Sequence, residues 1–178
     1  KTTSLKCGHD FFFSFCPERA IEGRIIEDLK EIPQVISGFS DKCLKKAKSF
    51  WESYCNSTIS CPSLEFAEIV KLTNNTYRDL TFSFANQLAY LADSYNINAH
   101  DLVSVANFGY SRSNIPKPSP GVGGYCLTKV PIIFSRIQKN KNMQKFITLS
   151  RKFNEEAALY PYKQIQRFVK KYNIELKN

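Results

Sequence analysis

From Ser63 to about Tyr95 the chain contains neither glycine nor proline. Pro62 and Glu65 stand at the start of this stretch, where a missing N–H and a negative charge are both favourable in a helix's first turn. Some 30 residues can therefore run as one helix, against a usual globular length of about 11–12. Ile69, Val70, Leu72, Tyr77, Leu80, Phe82, Phe84, Ala85, Leu88 and Leu91 make most of its surface apolar. A rod of that length carries more apolar surface than a chain of 178 residues can cover by itself, so the stretch predicts a homodimer built on the helix.

Around it the pattern is mainly α. Asp10–Cys16 is a short aromatic run closed by Pro17 and reads as a buried strand. Gln34–Gly38 and Ser57–Ser60 are two further strand candidates. Ser40 and Asp41 predict a cap for a helix from about Lys42 to Tyr54, with Leu44, Ala47, Phe50 and Trp51 on one face. Asn98 predicts the cap of a helix over Ala99–Phe108, and further helices are expected at about 131–139, 143–159 and 161–173.

Composition narrows the classes. Apolar residues make up 43% and aromatics 13%, enough for a globular core. No run of about 18 apolar residues occurs, which argues against a membrane partner. The opening Lys1–Lys6 has no apolar segment of signal-peptide length, and with no secretory signal the two Asn-x-Thr matches at Asn56 and Asn74 carry no weight. Six cysteines (7, 16, 43, 55, 61 and 126) form no CxxC pair and no zinc spacing, so no metal site is expected. They read as reduced thiols of a cytoplasmic protein.

The net charge of +9 is uneven, with 11 Lys/Arg against 3 Asp/Glu in residues 136–178. That basic third fits a solvated helical face or a face toward an acidic neighbour. It also fits nucleic acid, but no nucleic-acid motif accompanies it, and no nucleic-acid partner is expected.

Two features carry chemistry. Three of seven glycines fall in Pro118–Cys126, a stretch that ends on a cysteine. Its reading is either a surface turn leading to an inert buried cysteine or a thiol presented on a tight, side-chain-free shelf. On the long helix, Glu68, Lys71, Asn75 and Arg78 form one polar stripe by their spacing. A solvated stripe with an internal Glu–Lys pair fits it, and so does a pair of donors (Lys71 and Asn75, one turn apart) for a developing oxyanion.

Pro17-Glu18-Arg19 with Gly23, then Ala67–Asp79, then Phe84–Leu88, then Gly121-Val122-Gly123-Gly124-Tyr125-Cys126 resemble, in order and gaps, the UDP-glucose/GDP-mannose dehydrogenases. The resemblance runs from about Asp10 to Tyr160. The GVGG form of the loop, with Arg112 upstream, looks most like the branch acting on UDP-N-acetylhexosamines, particularly UDP-N-acetylmannosamine. It implies NAD-dependent oxidation of the sugar's primary alcohol to a carboxylate, for polysaccharide synthesis. It also implies Cys126 as nucleophile, Lys71 and Asn75 as oxyanion and water ligands, and Glu18 as base for hydrolysis. Arg78, Arg112, Gly121, Gly123 and Gly124 would be substrate contacts.

By the same resemblance, residues 1–62 end an α/β NAD-binding-type (Rossmann-type) domain, 63–135 form the central helical dimerisation domain, and 136–178 lead toward a nucleotide-binding domain. No strand–GxGxxG–helix unit occurs, so no NAD is expected to bind this chain alone, and no turnover is expected of it. Two departures stand out. Val130 occupies the place of the family's aspartate just before a proline, and Tyr125 stands where this branch has histidine. Alternative readings are a degenerate remnant serving as a dimerisation or nucleotide-sugar-binding module, and a basic helical protein that binds nucleic acid or an acidic partner.

Overall fold

The structure, a computed structural model, describes residues 4–175. These contain seven helices and one three-stranded sheet, so the chain is mainly α with a small α/β part. They divide into two compact units that meet within one helix, between Thr73 and Asn74.

The first unit holds β1 (Ser14–Phe15), α1 (Ile25–Glu31), β2 (Gln34–Gly38), α2 (Asp41–Trp51), β3 (Thr58–Ser60) and the start of α3 (Leu64–Ser94). Strand β2 is central, antiparallel to β1 with Ser14 opposite Gly38, and parallel to β3 with Gln34 opposite Thr58. Because β2 and β3 are parallel, α2 is the crossover between them. Val35, Cys61 and Ala67 form the core, with Phe15 and Val70 packed on it. Ser40 caps α2 as its sequence predicts: its backbone is extended and its Oγ accepts from the Cys43 amide. Gly38 ends β2 so close to α2 that an added Cβ would lie 2.2 Å from the Leu44 nitrogen.

Three sequence expectations change here. Only Ser14 and Phe15 of the aromatic run pair as strand, and Phe11, Phe12 and Phe13 are exposed. A tight turn takes the preceding residues out of the sheet, with Gly8 at positive φ and its amide donating to the Phe11 carbonyl at 2.7 Å. Helix α2 buries Cys43 and Ala47, whereas Phe50 is exposed and stacks beside Trp51 and Tyr54. Helix α1 was not expected. No side chain caps it, so it lacks the usual sequence mark of a helix start, although Asp28, in its first turn, is buried and accepts from the Ile21 amide.

The second unit contains the rest of α3, then α4 (Ala99–Asn107), α5 (Tyr125–Ile137), α6 (Lys141–Ala157) and α7 (Tyr160–Tyr172). The 31-residue α3 is the long helix that the sequence predicts. Asn98 and Asn140 cap α4 and α6 by accepting two backbone amides each. Helices α5 and α6 pack together, with Val130, Pro131 and Ile147 among the buried residues. Tyr160 at the head of α7 meets Tyr90 of α3 edge-on at 4.4 Å, and Gln164 donates to Asp93 at 2.8 Å.

Replacing Gly38 with alanine forces a methyl into backbone, which the site can relieve only by moving β2 from α2. We expect a loss of about 1–3 kcal/mol, the cost of overpacking, read as a lowered urea midpoint with the slope unchanged.

Candidate active site

Helix α5 begins six residues earlier than its sequence pattern indicates, because Gly124, at φ 83°, turns the chain directly into it. Cys126 is thus the helix's second residue, exposed on the first turn instead of lying on a loop shelf. Tyr125 beside it is 89% exposed. The expectation of a buried cysteine does not hold.

Early entry into α5 places Pro131 inside the helix. Proline has no N–H, so the Leu127 carbonyl, four residues earlier, loses its helical donor. Arg151 of α6 replaces it. One guanidinium nitrogen, Nη1, donates to the Leu127 carbonyl at 2.9 Å and to Asp79 Oδ1, while Nη2 donates to the Val122 carbonyl in the glycine loop at 2.8 Å. Asp79 sits on α3 and also accepts from Asn154 Nδ2 at 2.9 Å. Asn154 Oδ1 accepts from Asn86 at 3.1 Å, and Asn86 Oδ1 accepts from the Ser119 amide at 2.9 Å. One polar network therefore holds both ends of the 119–127 segment to α3 and α6.

That network is buried. Arg151 is 2% exposed, Asp79 1% and Asn154 0%. Burial pushes the Asp79 carboxyl above its ordinary value, and the Arg151 and Asn154 donors pull it back. Gly121, at φ 88°, passes so close to α6 that an added Cβ would lie 3.1 Å from Ala158 Cβ and 3.2 Å from the Asn154 carbonyl. A Cβ on Gly123 or Gly124 would meet nothing within 4 Å. Gly121 is thus a packing glycine, while Gly123 and Gly124 border open space.

The stripe on α3 is uneven. Glu68 and Arg78 are exposed, Lys71 is half-buried and Asn75 is buried. Lys71 donates to the backbone carbonyl of Glu18, and Glu18 Oε1 accepts from the Ala20 amide at 2.5 Å. The structure therefore brings two sequence-predicted residues, Glu18 and Lys71, together, with the ammonium on a carbonyl rather than on Glu68. Among the described residues the Asn75 Nδ2 has no hydrogen-bond partner. A buried amide donor left unpaired carries a desolvation cost of about 1–3 kcal/mol. Arg112 lies over the Tyr110 ring at 4.7 Å.

Sequence reading missed Arg151, Asn154 and Asn86 as residues that position the loop. Proline in the α5 pattern was the available signal, since it creates an unpaired carbonyl. Among the described residues no cluster of three or more His, Cys, Asp or Glu could hold a metal ion. The Gly121–Gly124 run opens a helix but follows a loop rather than a strand, so it does not form a dinucleotide-binding turn. No helix of the described residues is long and apolar enough to cross a membrane.

Residues 65–156 match the central domain of the UDP-glucose/GDP-mannose dehydrogenase family. The chain is 36% identical over 160 residues to the UDP-N-acetyl-D-mannosamine dehydrogenase of Methanocaldococcus jannaschii, covering 90% of this chain and 36% of that protein. It is 32% identical over 167 residues to the enzyme of that name from Campylobacter jejuni, covering 93% of this chain and 40% of the other. Among solved structures, the UDP-D-ManNAc dehydrogenase of Pyrococcus horikoshii matches with a TM-score of 0.86 at 30% identity, over 96% of this chain and 40% of that one. The chain belongs to the UDP-glucose/GDP-mannose dehydrogenase family. It spans about two fifths of the length of these relatives.

Breaking the buried pair by Arg151→Met leaves the Asp79 carboxylate unpaired, and we expect a loss of about 3–5 kcal/mol, with faster amide exchange across residues 119–127. Removing Arg151 raises the Asp79 carboxyl further. A carboxyl raised above its unfolded value adds stability at low pH and loses it as pH climbs through the folded value. The variant's deficit should therefore shrink on acidification, measured by urea titrations at neutral and mildly acidic pH.

Proposed function

We propose that this chain is the catalytic-cysteine segment of an NAD-dependent dehydrogenase that oxidises the primary alcohol of a UDP-N-acetylhexosamine, UDP-N-acetylmannosamine foremost, to a carboxylate. The single observation that carries this is Cys126, exposed on the first turn of α5 behind a glycine loop that a buried ion pair holds in place. The relatives named for UDP-N-acetylmannosamine support the choice of sugar. In this reading residues 1–62 end an α/β domain of NAD-binding type, 63–135 are the central helical domain and 136–178 lead into a nucleotide-binding domain. The working site is cytoplasmic.

NAD would take the hydrides, but the described residues supply no dinucleotide-binding turn, so the chain's own share lies in acyl transfer. The Cys126 sulfur bonds to the carbonyl carbon of the sugar aldehyde, and the oxygen gains the negative charge or the thiol's proton. Lys71 and the unpaired Asn75 amide are donors suited to that oxygen. After oxidation to the thioester, water attacks the same carbon, the C–S bond breaks, and the thiolate leaves. Glu18 takes the water's proton. Arg78, Arg112, Gly123 and Gly124 would contact the nucleotide sugar, while Gly121 acts through its packing on α6.

Val130 is buried and can neither accept nor carry a proton. We expect it to slow thioester hydrolysis more than thiol addition, since positioning a proton acceptor is worth about 10²–10⁴-fold. The test completes the chain with the flanking segments of the Methanocaldococcus jannaschii relative and supplies NAD and UDP-N-acetylmannosamine. Carboxylate formation that is lost in Cys126→Ser supports the reading, and carboxylate formation that survives it sinks it, the first NADH being formed before the thiol adds. Val130→Asp should turn over faster and hold less sugar covalently bound at Cys126.

We further propose that α3 pairs with a second copy of the chain. Tyr77, Phe84 and Leu91 recur every seven residues on it and are exposed, the pattern of a helix seam. Light scattering across a dilution series should give a dimer mass at micromolar concentration. Phe84→Glu should shift the chain to monomer without changing its helix content.

A further inference from the structure

Five of the six cysteines lie in the first unit's α/β segment outside the proposed chemistry, and two of these are a pair. Cys7 and Cys43 are 36 residues apart in sequence, yet their sulfurs are 3.8 Å apart. Cys43 is fully buried, the third residue of α2, and Cys7 is half-buried.

The surroundings of the Cys43 sulfur are those of an anion. Ser40 Oγ donates to it at 3.2 Å and the Phe13 amide at 3.5 Å, and the Cys7 thiol is the third neighbour. The free N–H groups of the first turn of α2 add partial positive charge. These donors, Ser40 first, draw the Cys43 thiol down to about 7, whereas burial pushes Cys55 and Cys61 up in the same unit. Burial alone would have raised Cys43 too, so its neighbours set its chemistry.

The chain also places Cys7 there deliberately in conformational terms. Gly8 takes φ +84°, and a Cβ on it would lie 3.0 Å from Ser40 Oγ. Its amide closes the turn on Phe11, and the Asp10 amide donates to the Lys6 carbonyl at 2.9 Å. This turn lays Cys7 against the N-terminus of α2.

We propose that Cys7 and Cys43 form an oxidant-responsive thiol pair that closes to an intrachain disulfide, independent of Cys126. Burial and the Cys43 neighbour push the Cys7 thiol up, so with a peroxide as oxidant the Cys7 proton first passes to the adjacent Cys43 thiolate. The Cys7 sulfur, the one open to solvent, then attacks a peroxide oxygen, the O–O bond breaks, and the hydroxide released takes that proton back and leaves as one water. The Cys7 sulfenic acid is then attacked by the Cys43 thiolate: the S–S bond forms, the S–O bond breaks, and hydroxide leaves as a second water. Two thiols lose two electrons and two protons, and one peroxide becomes two waters. A side-chain movement on the Cys7 turn closes the sulfur gap, and the product fastens that turn to α2.

The test exposes the reduced chain to hydrogen peroxide, blocks the remaining thiols and maps the digest by mass spectrometry. A Cys7–Cys43 linked peptide that dithiothreitol reverses is the expected result. Cys7→Ser, at the half-buried position, should abolish the link, and Cys43→Ser should leave Cys7 as a sulfenic acid trapped by dimedone. Gly8→Ala should reduce the yield at fixed time, since it lifts the turn from Ser40. Failure to find the link while Cys126 is oxidised, or a link from Cys7 to any other cysteine or to a second chain, overturns the proposal. None of these outcomes depends on dehydrogenase activity.

Discussion

A proline inside a helix fixes the geometry of the chain around Cys126. Pro131 cannot donate to the Leu127 carbonyl, and that half-buried carbonyl would lack its helical donor without Arg151. Once Arg151 is drawn to it, the guanidinium's other nitrogen reaches the Val122 carbonyl, and its charge requires Asp79 on α3. A defect in one helix thus becomes the joint of α3, α6 and the glycine loop. Apolar packing could fill the same space, but it would not fix where the loop carbonyls point. The arginine does, because its planar fork accepts only a few arrangements of partners.

Helix α3 inverts the usual distribution of polarity in its second half. Asn75, Asp79, Ser83 and Asn86 are buried, while Tyr77, Phe84 and Leu91 are exposed. A buried polar row is costly unless it is hydrogen-bonded, and Asp79 and Asn86 are bonded into the network around Arg151 and Asn154. Among the described residues the Asn75 amide nitrogen and the second Asp79 oxygen, Oδ2, are exceptions and have no partner. The same helix therefore carries a buried polar row, with Asp79 and Asn86 in the network around Arg151 and Asn154, and an apolar row on the outside.

The cysteines separate by environment rather than by sequence context. Cys126 stands exposed at the head of α5. Cys55 and Cys61 are buried, and burial raises both thiols. Cys43 is equally buried but ringed by donors. Nothing in the residues flanking Cys43 marks it off from Cys55. A serine three residues earlier is the nearest hint, and it reads first as a helix cap.

The sequence by itself determined the long helix, the caps at Ser40 and Asn98, the strands at 34–38 and 58–60, and the family. Each depends on neighbours a few residues away or on linked motifs in fixed order. It did not determine α1, which lacks a cap, or the fate of the Phe11–Phe13 run, which a glycine turn removed from the sheet. It also could not start α5 at Tyr125, because proline counts against a helix unless something else takes the carbonyl it abandons. That something is Arg151, 24 residues beyond Leu127, paired with Asp79, which lies 72 residues from it in the chain. Spacing rules reach one or two turns, so contacts at this range are settled only when the helices pack and bring their buried polar groups together.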